Sequence, residues 1–139
     1  LGIRRGGNRR IYISRADVGT RQVANEEELR PLLERYGFEI VVAGQLSYDD
    51  KVRLFSETAM CIGPHGAGFS HIGFMAAGSV VVELLTSGAK WMKRGFIPAM
   101  CATYGLRFGH LCFPEESNPT LDFTVPPERL IPTLERLAA

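Results

Sequence analysis

Short runs of β-forming, apolar residues recur along the chain, and stretches with helical periodicity separate them. The runs are Ile11-Tyr12-Ile13, Phe38 to Ala43, Met60-Cys61-Ile62, Val80 to Leu85 and Phe108 to Phe113. They read as apolar stretches rather than as a strict apolar–polar alternation, so both faces of each strand need covering. Strands alternating with helices supply that cover from above and below a parallel sheet. Right-handed crossovers then leave an α/β fold, a Rossmann-like three-layer sandwich with a parallel sheet of about five strands. The expected strands fall near residues 11–14, 38–43, 60–63, 80–85 and 108–113, with ends good to ~2–4 residues. The expected strand order is 3-2-1-4-5.

The helices announce themselves by caps and stripes. Asn25, with Glu28 three positions on, forms a capping box, and Leu29, Leu32, Leu33 and Tyr36 give one buried face that Gly37 ends. Ser47 opens a second helix with Tyr48, Val52, Phe55 and Ala59 on its stripe. A third is expected from the Gly63–Gly68 loop to about residue 76, a fourth over about 91–104, and a last near Glu128 to Leu137. Pro132 predicts a kink or a late start in that last helix. Residues 1–10, polar and Gly-rich with arginines at 4, 5, 9 and 10, read as a linker or frayed start. Residues 11–139 then form the domain.

The 139 residues suffice for one domain with a real core. Sixteen Lys and Arg against fifteen Asp and Glu give a net charge of +1, which offers no bulk attraction to nucleic acid or anionic membrane. No apolar run approaches the ~18 residues of a membrane span, and none at the start suits a signal peptide. The first residue is Leu1, so a piece of a longer protein is expected. Cys61, Cys101 and Cys112 lack C-x-x-C spacing and sit among apolar residues, so buried, reduced thiols in a reducing compartment are expected. Asn118-Pro119-Thr120 is no glycosylation acceptor because proline fills its middle position.

Ligands of open parallel sheets bind beyond the carboxyl ends of the strands. Here the first strand ends at Ser14-Arg15, the third at Gly63-Pro64-His65-Gly66-Ala67-Gly68 and the fourth near Glu83. The glycines permit close backbone approach, and the loop leads into a helix N-terminus, an arrangement suited to phosphate. A tight strand-to-helix turn is the plainer account of the same glycines. His65 offers a donor to a phosphate oxygen, or a cap for the turn. Arg15 and Arg21 flank the first loop, and two guanidiniums match a pyrophosphate; ordinary surface arginines are the alternative. Glu83 interrupts Val80-Val81-Val82 and Leu84-Leu85, where a carboxylate needs a partner. It can accept from ribose hydroxyls or pair with an Arg or Lys. His71 and His110 read as structural, and Trp91 and Phe96 as packing residues. The spacing is not G-x-G-x-x-G, no G-K-[ST] or G-x-S-x-G occurs, and no H-E-x-x-H or D-x-D suggests a metal.

Taken together, Tyr12-Ile13-Ser14-Arg15, Arg21, Asn25-Glu26, Gly63-Pro64-His65-Gly66-Ala67-Gly68 and Val82-Glu83-Leu84 resemble glycosyltransferase family 61. The likeness runs from about Tyr12 to Leu85. One departure is His71-Ile72-Gly73-Phe74, where many members have Asn-x-x-Phe. The resemblance implies the C-terminal half of a two-domain GT-B enzyme, with the N-terminal partner domain elsewhere. It implies donor binding by Ser14, Arg15, Arg21, Asn25, His65, Gly66, Ala67, Gly68 and Glu83, and a general base outside these residues. A nucleotide-sugar is then the donor substrate, a glycan or polysaccharide the acceptor, and no metal or other cofactor is called for. Bacterial members build capsular polysaccharide, which implies the cytoplasm, or its membrane surface; eukaryotic members add xylose or N-acetylglucosamine. A sugar-nucleotide epimerase and a non-enzymatic nucleotide- or phosphate-binding module remain as alternatives.

Overall fold

The computed structural model describes residues 5–87, 95–114 and 118–139. Its elements are β1 (Arg9–Ser14), α1 (Glu26–Arg35), β2 (Phe38–Val42), α2 (Tyr48–Ser56), β3 (Thr58–Pro64), β4 (Val80–Thr86), α3 (Phe96–Tyr104), β5 (Arg107–Phe113) and α4 (Pro127–Ala138). Two 3-10 segments, Ala43–Gln45 and Ala67–Phe74, lie between them. All four strand pairings are parallel. The expected α/β class and five strands are therefore present.

The strand order is β2-β1-β3-β4-β5, not the expected 3-2-1-4-5. The reason is burial. Cys61 and Ile62 of β3 are fully buried and need neighbours on both sides, which β1 and β4 provide. β2 takes the edge instead, where Glu39 stays exposed and accepts from Arg9 at 2.6 and 3.0 Å. Gly63 lets β3 approach β1 closely: a Cβ there would sit 2.8 Å from the Ile13 carbonyl oxygen.

Side chains of alternate parity on the strands build two cores. Ile11, Ile13, Cys61 and Val81 pack with Leu54, Phe55, Phe69, Ile97 and Cys101 under α2, the second 3-10 segment and α3. Tyr12, Ile62, Val82 and Leu84 pack with Leu29, Leu33, Leu130 and Leu134 under α1 and α4. The sandwich thus has its three layers.

Several boundaries and roles differ from the sequence-based expectation. β1 begins at Arg9, and Arg9 and Arg10 are anchored rather than frayed: Arg9 also bonds Glu57 at 3.1 Å, and Arg10 the Tyr36 carbonyl at 2.9 Å. The expected third α-helix is the 3-10 helix Ala67–Phe74. α4 runs on through Pro132. Of the expected fourth helix, residues 91–94, and with them Trp91, lie outside the described residues. Phe96 is 57% exposed rather than packed. Cys61 and Cys101 are buried, whereas Cys112, on the edge strand β5, is exposed. Among the described residues no helix is long and apolar enough to cross a membrane.

Candidate functional site

In a sheet of this order, the crossovers from β1 and β3 leave in opposite directions, and the crevice beyond their carboxyl ends is the expected ligand position. Arg15 leaves the end of β1 there. It is 6% exposed, its Nε donates to the Thr20 carbonyl at 3.1 Å, and no carboxylate lies within ion-pair distance among the described residues. Its guanidinium lies against Gly66, where a Cβ would collide with Nη1. Arg21 reaches the same loop, donating from Nη1 to the His65 carbonyl at 3.4 Å. Its backbone is left-handed, with φ at 58°, a conformation that costs a non-glycine residue free energy. The Arg21 N–H donates to the Thr120 carbonyl at 2.8 Å, which helps hold the turn.

Electrostatics marks the pair. Burial first, and then the charge of Arg21, push the Arg15 pKa down; Asp17 and Asp122 act the other way. Burial also pushes Arg21 down. Two like charges thus stand beside one glycine loop, Arg15 buried and Arg21 partly so, and repel each other. The 3-10 helix that begins at Ala67 adds backbone N–H groups at its start, with Gly68 packed so close to Ile13 that a Cβ would lie 2.6 Å from Cγ2.

His65 and Glu83 meet directly, Nδ1 to Oε1. Glu83 is 4% exposed. This carboxylate therefore found its partner in the neighbouring loop, behind the rim, and the partner is neither Arg nor Lys.

Ser14 and Asn25 are occupied internally. The Ser14 hydroxyl donates to Glu26 at 2.6 Å and accepts from the Ala16 N–H at 3.1 Å, while Tyr12 donates to the same carboxylate at 3.1 Å. Burial first, and then Glu26, push the Tyr12 hydroxyl pKa well up. The Asn25 side chain makes no cap bond to the backbone of α1. It donates to Glu28 at 3.1 Å and brackets Val125, accepting from its N–H and donating to its carbonyl, each at 2.9 Å. The structure thus brings together Arg15, Arg21, His65, Gly66, Ala67, Gly68 and Glu83, and turns Ser14 and Asn25 to holding the scaffold.

Sequence reasoning passed over an adjoining cavity of about 190 Å³, lined by Arg15, Asp17, Lys51, Gly68 and His71 among others. His71 packs among the rings of Tyr48, Phe55 and Phe74, and its Nδ1 is buried with no hydrogen-bond partner. Burial, and then Lys51, push its pKa down. His110 is exposed on β5 beside Phe108.

Comparison with known proteins gives this geometry its context. The xylan glycosyltransferase MUCI21 of Arabidopsis thaliana is 25% identical over 105 residues, covering 73% of this chain and 21% of that protein. The EGF domain-specific O-linked N-acetylglucosamine transferase of Bos taurus is 30% identical over 89 residues, covering 60% of this chain and 17% of that protein. The chain therefore spans about a fifth of these relatives. The family model for Glycosyltransferase 61 matches residues 4–82, more than half the chain and the stretch that carries Arg15, Arg21 and the glycine loop. The chain belongs to glycosyltransferase family 61.

Proposed function

We propose that this domain holds the nucleotide-sugar donor of a glycosyltransferase, in the manner of the C-terminal half of a GT-B enzyme. The observation that carries the reading is Arg15: a buried guanidinium with no ion-pair partner among the described residues, against Gly66 and in the field of Arg21. A diphosphate between the two arginines and the Gly66–Gly68 backbone answers that charge. The same groups then stabilise the negative charge that grows on the leaving nucleoside diphosphate as the sugar–phosphate bond breaks. The cavity beside Arg15 receives the remainder of the donor.

Family membership favours sugar transfer over the epimerase and binding-module readings. By their names, the two relatives act on xylan and on EGF domains. We infer a glycan or polysaccharide acceptor here, bound with the general base by a partner domain. A cytoplasmic setting belongs to the capsule-building, bacterial form of this reading.

Calorimetry on the full-length protein tests the donor site with a panel of nucleoside diphosphates and the matching nucleosides. Arg15→Ala and Arg21→Ala should each weaken diphosphate binding about tenfold to a hundredfold, the worth of one charge-assisted hydrogen bond. Nucleoside binding should hardly change. Equal diphosphate affinity for wild type and Arg15→Ala would remove Arg15 from the site. A sugar-transfer assay of the same protein tests the reaction itself.

A further inference from the structure

Glu83 lies in β4 between Val82 and Leu84, and β3 and β4 are paired so that Gly63 faces Glu83 and Pro64 faces Leu84. His65, the next residue beyond β3, is therefore delivered to the carboxylate. Its backbone is pinned on both sides: its N–H donates to the Leu84 carbonyl at 3.1 Å, and its carbonyl accepts from Arg21 at 3.4 Å. With Nδ1 on Glu83, the ring is fixed at a third point. The His65 side chain keeps 17% of its exposure, while that of Glu83 keeps 5%. The carboxylate thus sits behind the imidazole, and the imidazole lies between it and the rim.

We infer that Glu83 is a positioning residue that acts on the donor's diphosphate through His65, an inference that rests on the donor-site reading above. An ionised carboxylate only accepts hydrogen bonds, so Nδ1 carries the proton of the shared contact. The bond at one ring nitrogen sets the role of the other. Nε2 becomes the nitrogen that meets the ligand, and in the imidazolium form it donates to a phosphate oxygen while Nδ1 donates to Glu83. Buried carboxylates orient metal-bound histidines in the same manner. Here the oriented group is a hydrogen-bond donor to phosphate.

Inorganic pyrophosphate is the discriminating probe, because it has the two phosphates and no ribose. On the full-length protein, His65→Gln and Glu83→Gln should each weaken pyrophosphate binding about tenfold. The double variant should lose no more than His65→Gln alone, since the two residues act as one unit. Removal of a negative charge by Glu83→Gln would by itself favour an anion, so a loss of affinity reports the lost orientation. Unchanged or tighter pyrophosphate binding by Glu83→Gln, or additive losses in the double variant, would overturn the inference. Weakened nucleoside binding with unchanged pyrophosphate binding would put Glu83 on the ribose instead. If Glu83→Gln fails to fold, ring ¹⁵N spectra of the wild type decide, with His65→Gln assigning the signal. A proton on Nδ1 is expected, and a proton on Nε2 alone overturns the pair. Pyrophosphate binding that Arg15→Ala leaves unchanged would sink the donor site itself, and this inference with it.

Discussion

At the scale of single residues, the site depends on one missing methyl group. A Cβ at Gly66 would occupy the place of the Arg15 guanidinium. The colliding atom is the end of a flexible side chain, so Gly66→Ala should fold with little change in melting temperature. It should nonetheless weaken diphosphate binding about tenfold, as the guanidinium swings out; calorimetry beside a thermal melt separates the two effects. The glycines were legible in sequence as a place of close approach, but Arg15 as the group approaching was not, because that contact spans β1 and β3. His71 is a further residue whose surroundings set its behaviour. Its pKa is lower in the fold than in the unfolded chain, where it is near 6.5. The unfolded chain then binds more protons, so stability falls as pH drops below about 6.5 and levels off beneath the folded value. Melting curves of wild type and His71→Gln between pH 7.5 and 5 should show a shallower acid-side decline in the variant. The thiols divide by burial: burial pushes Cys101 up to about 11 and Cys61 higher still. A thiol reagent at pH 8 should modify Cys112 in the native protein, with Cys61 and Cys101 reacting only after unfolding.

At the scale of elements, the loop that carries both arginines is held by a segment far along the chain. Residues 21–25 run beside 120–125: Arg21 bonds Thr120, Gln22 bonds Asp122 and Phe123, Ala24 bonds Phe123, and Asn25 brackets Val125. Asn25→Ala would leave both backbone groups of a fully buried Val125 without partners. It should destabilise the domain by about 2–4 kcal/mol. Denaturant unfolding measures this, and a loss below 0.5 kcal/mol would mean that water replaces the side chain ~fully. The sequence showed the start of α1 well but misassigned Asn25, because a residue suited to a cap is also suited to bracket an extended segment. Ser47, with no such rival nearby, does cap α2, accepting from the Asp50 N–H at 3.1 Å. The stretch after Gly66 was legible as helical, but not as 3-10. Gly68 and Gly73 both lie where a Cβ would crowd Ile13 or Tyr104, so tertiary packing rather than propensity shapes it.

At the scale of the whole molecule, the strands were legible because a sheet covered on both faces writes itself as apolar runs. Their order was not, because right-handed crossovers allow β3 on either side of β1 and the choice rests on burial across the sheet. Hydrogen exchange offers a check. Amides of Tyr12, Ile13, Cys61 and Ile62, in the middle of the sheet, should exchange only through global unfolding. Outward-facing amides of β2 and β5 should exchange faster. Protection of β2 above β3 would contradict the order β2-β1-β3-β4-β5.

The hold of residues 120–125 on the arginine loop also sets a timetable for synthesis. Asn25 and Val125 stand 100 positions apart. At about 5–20 residues per second, roughly 5–20 s separate their translation. During that interval the arginine turn has left the ribosome without the segment that fixes its backbone. On the donor-site reading proposed above, the nascent domain would gain its grip on an anion late, after nearly all of its sheet has been made.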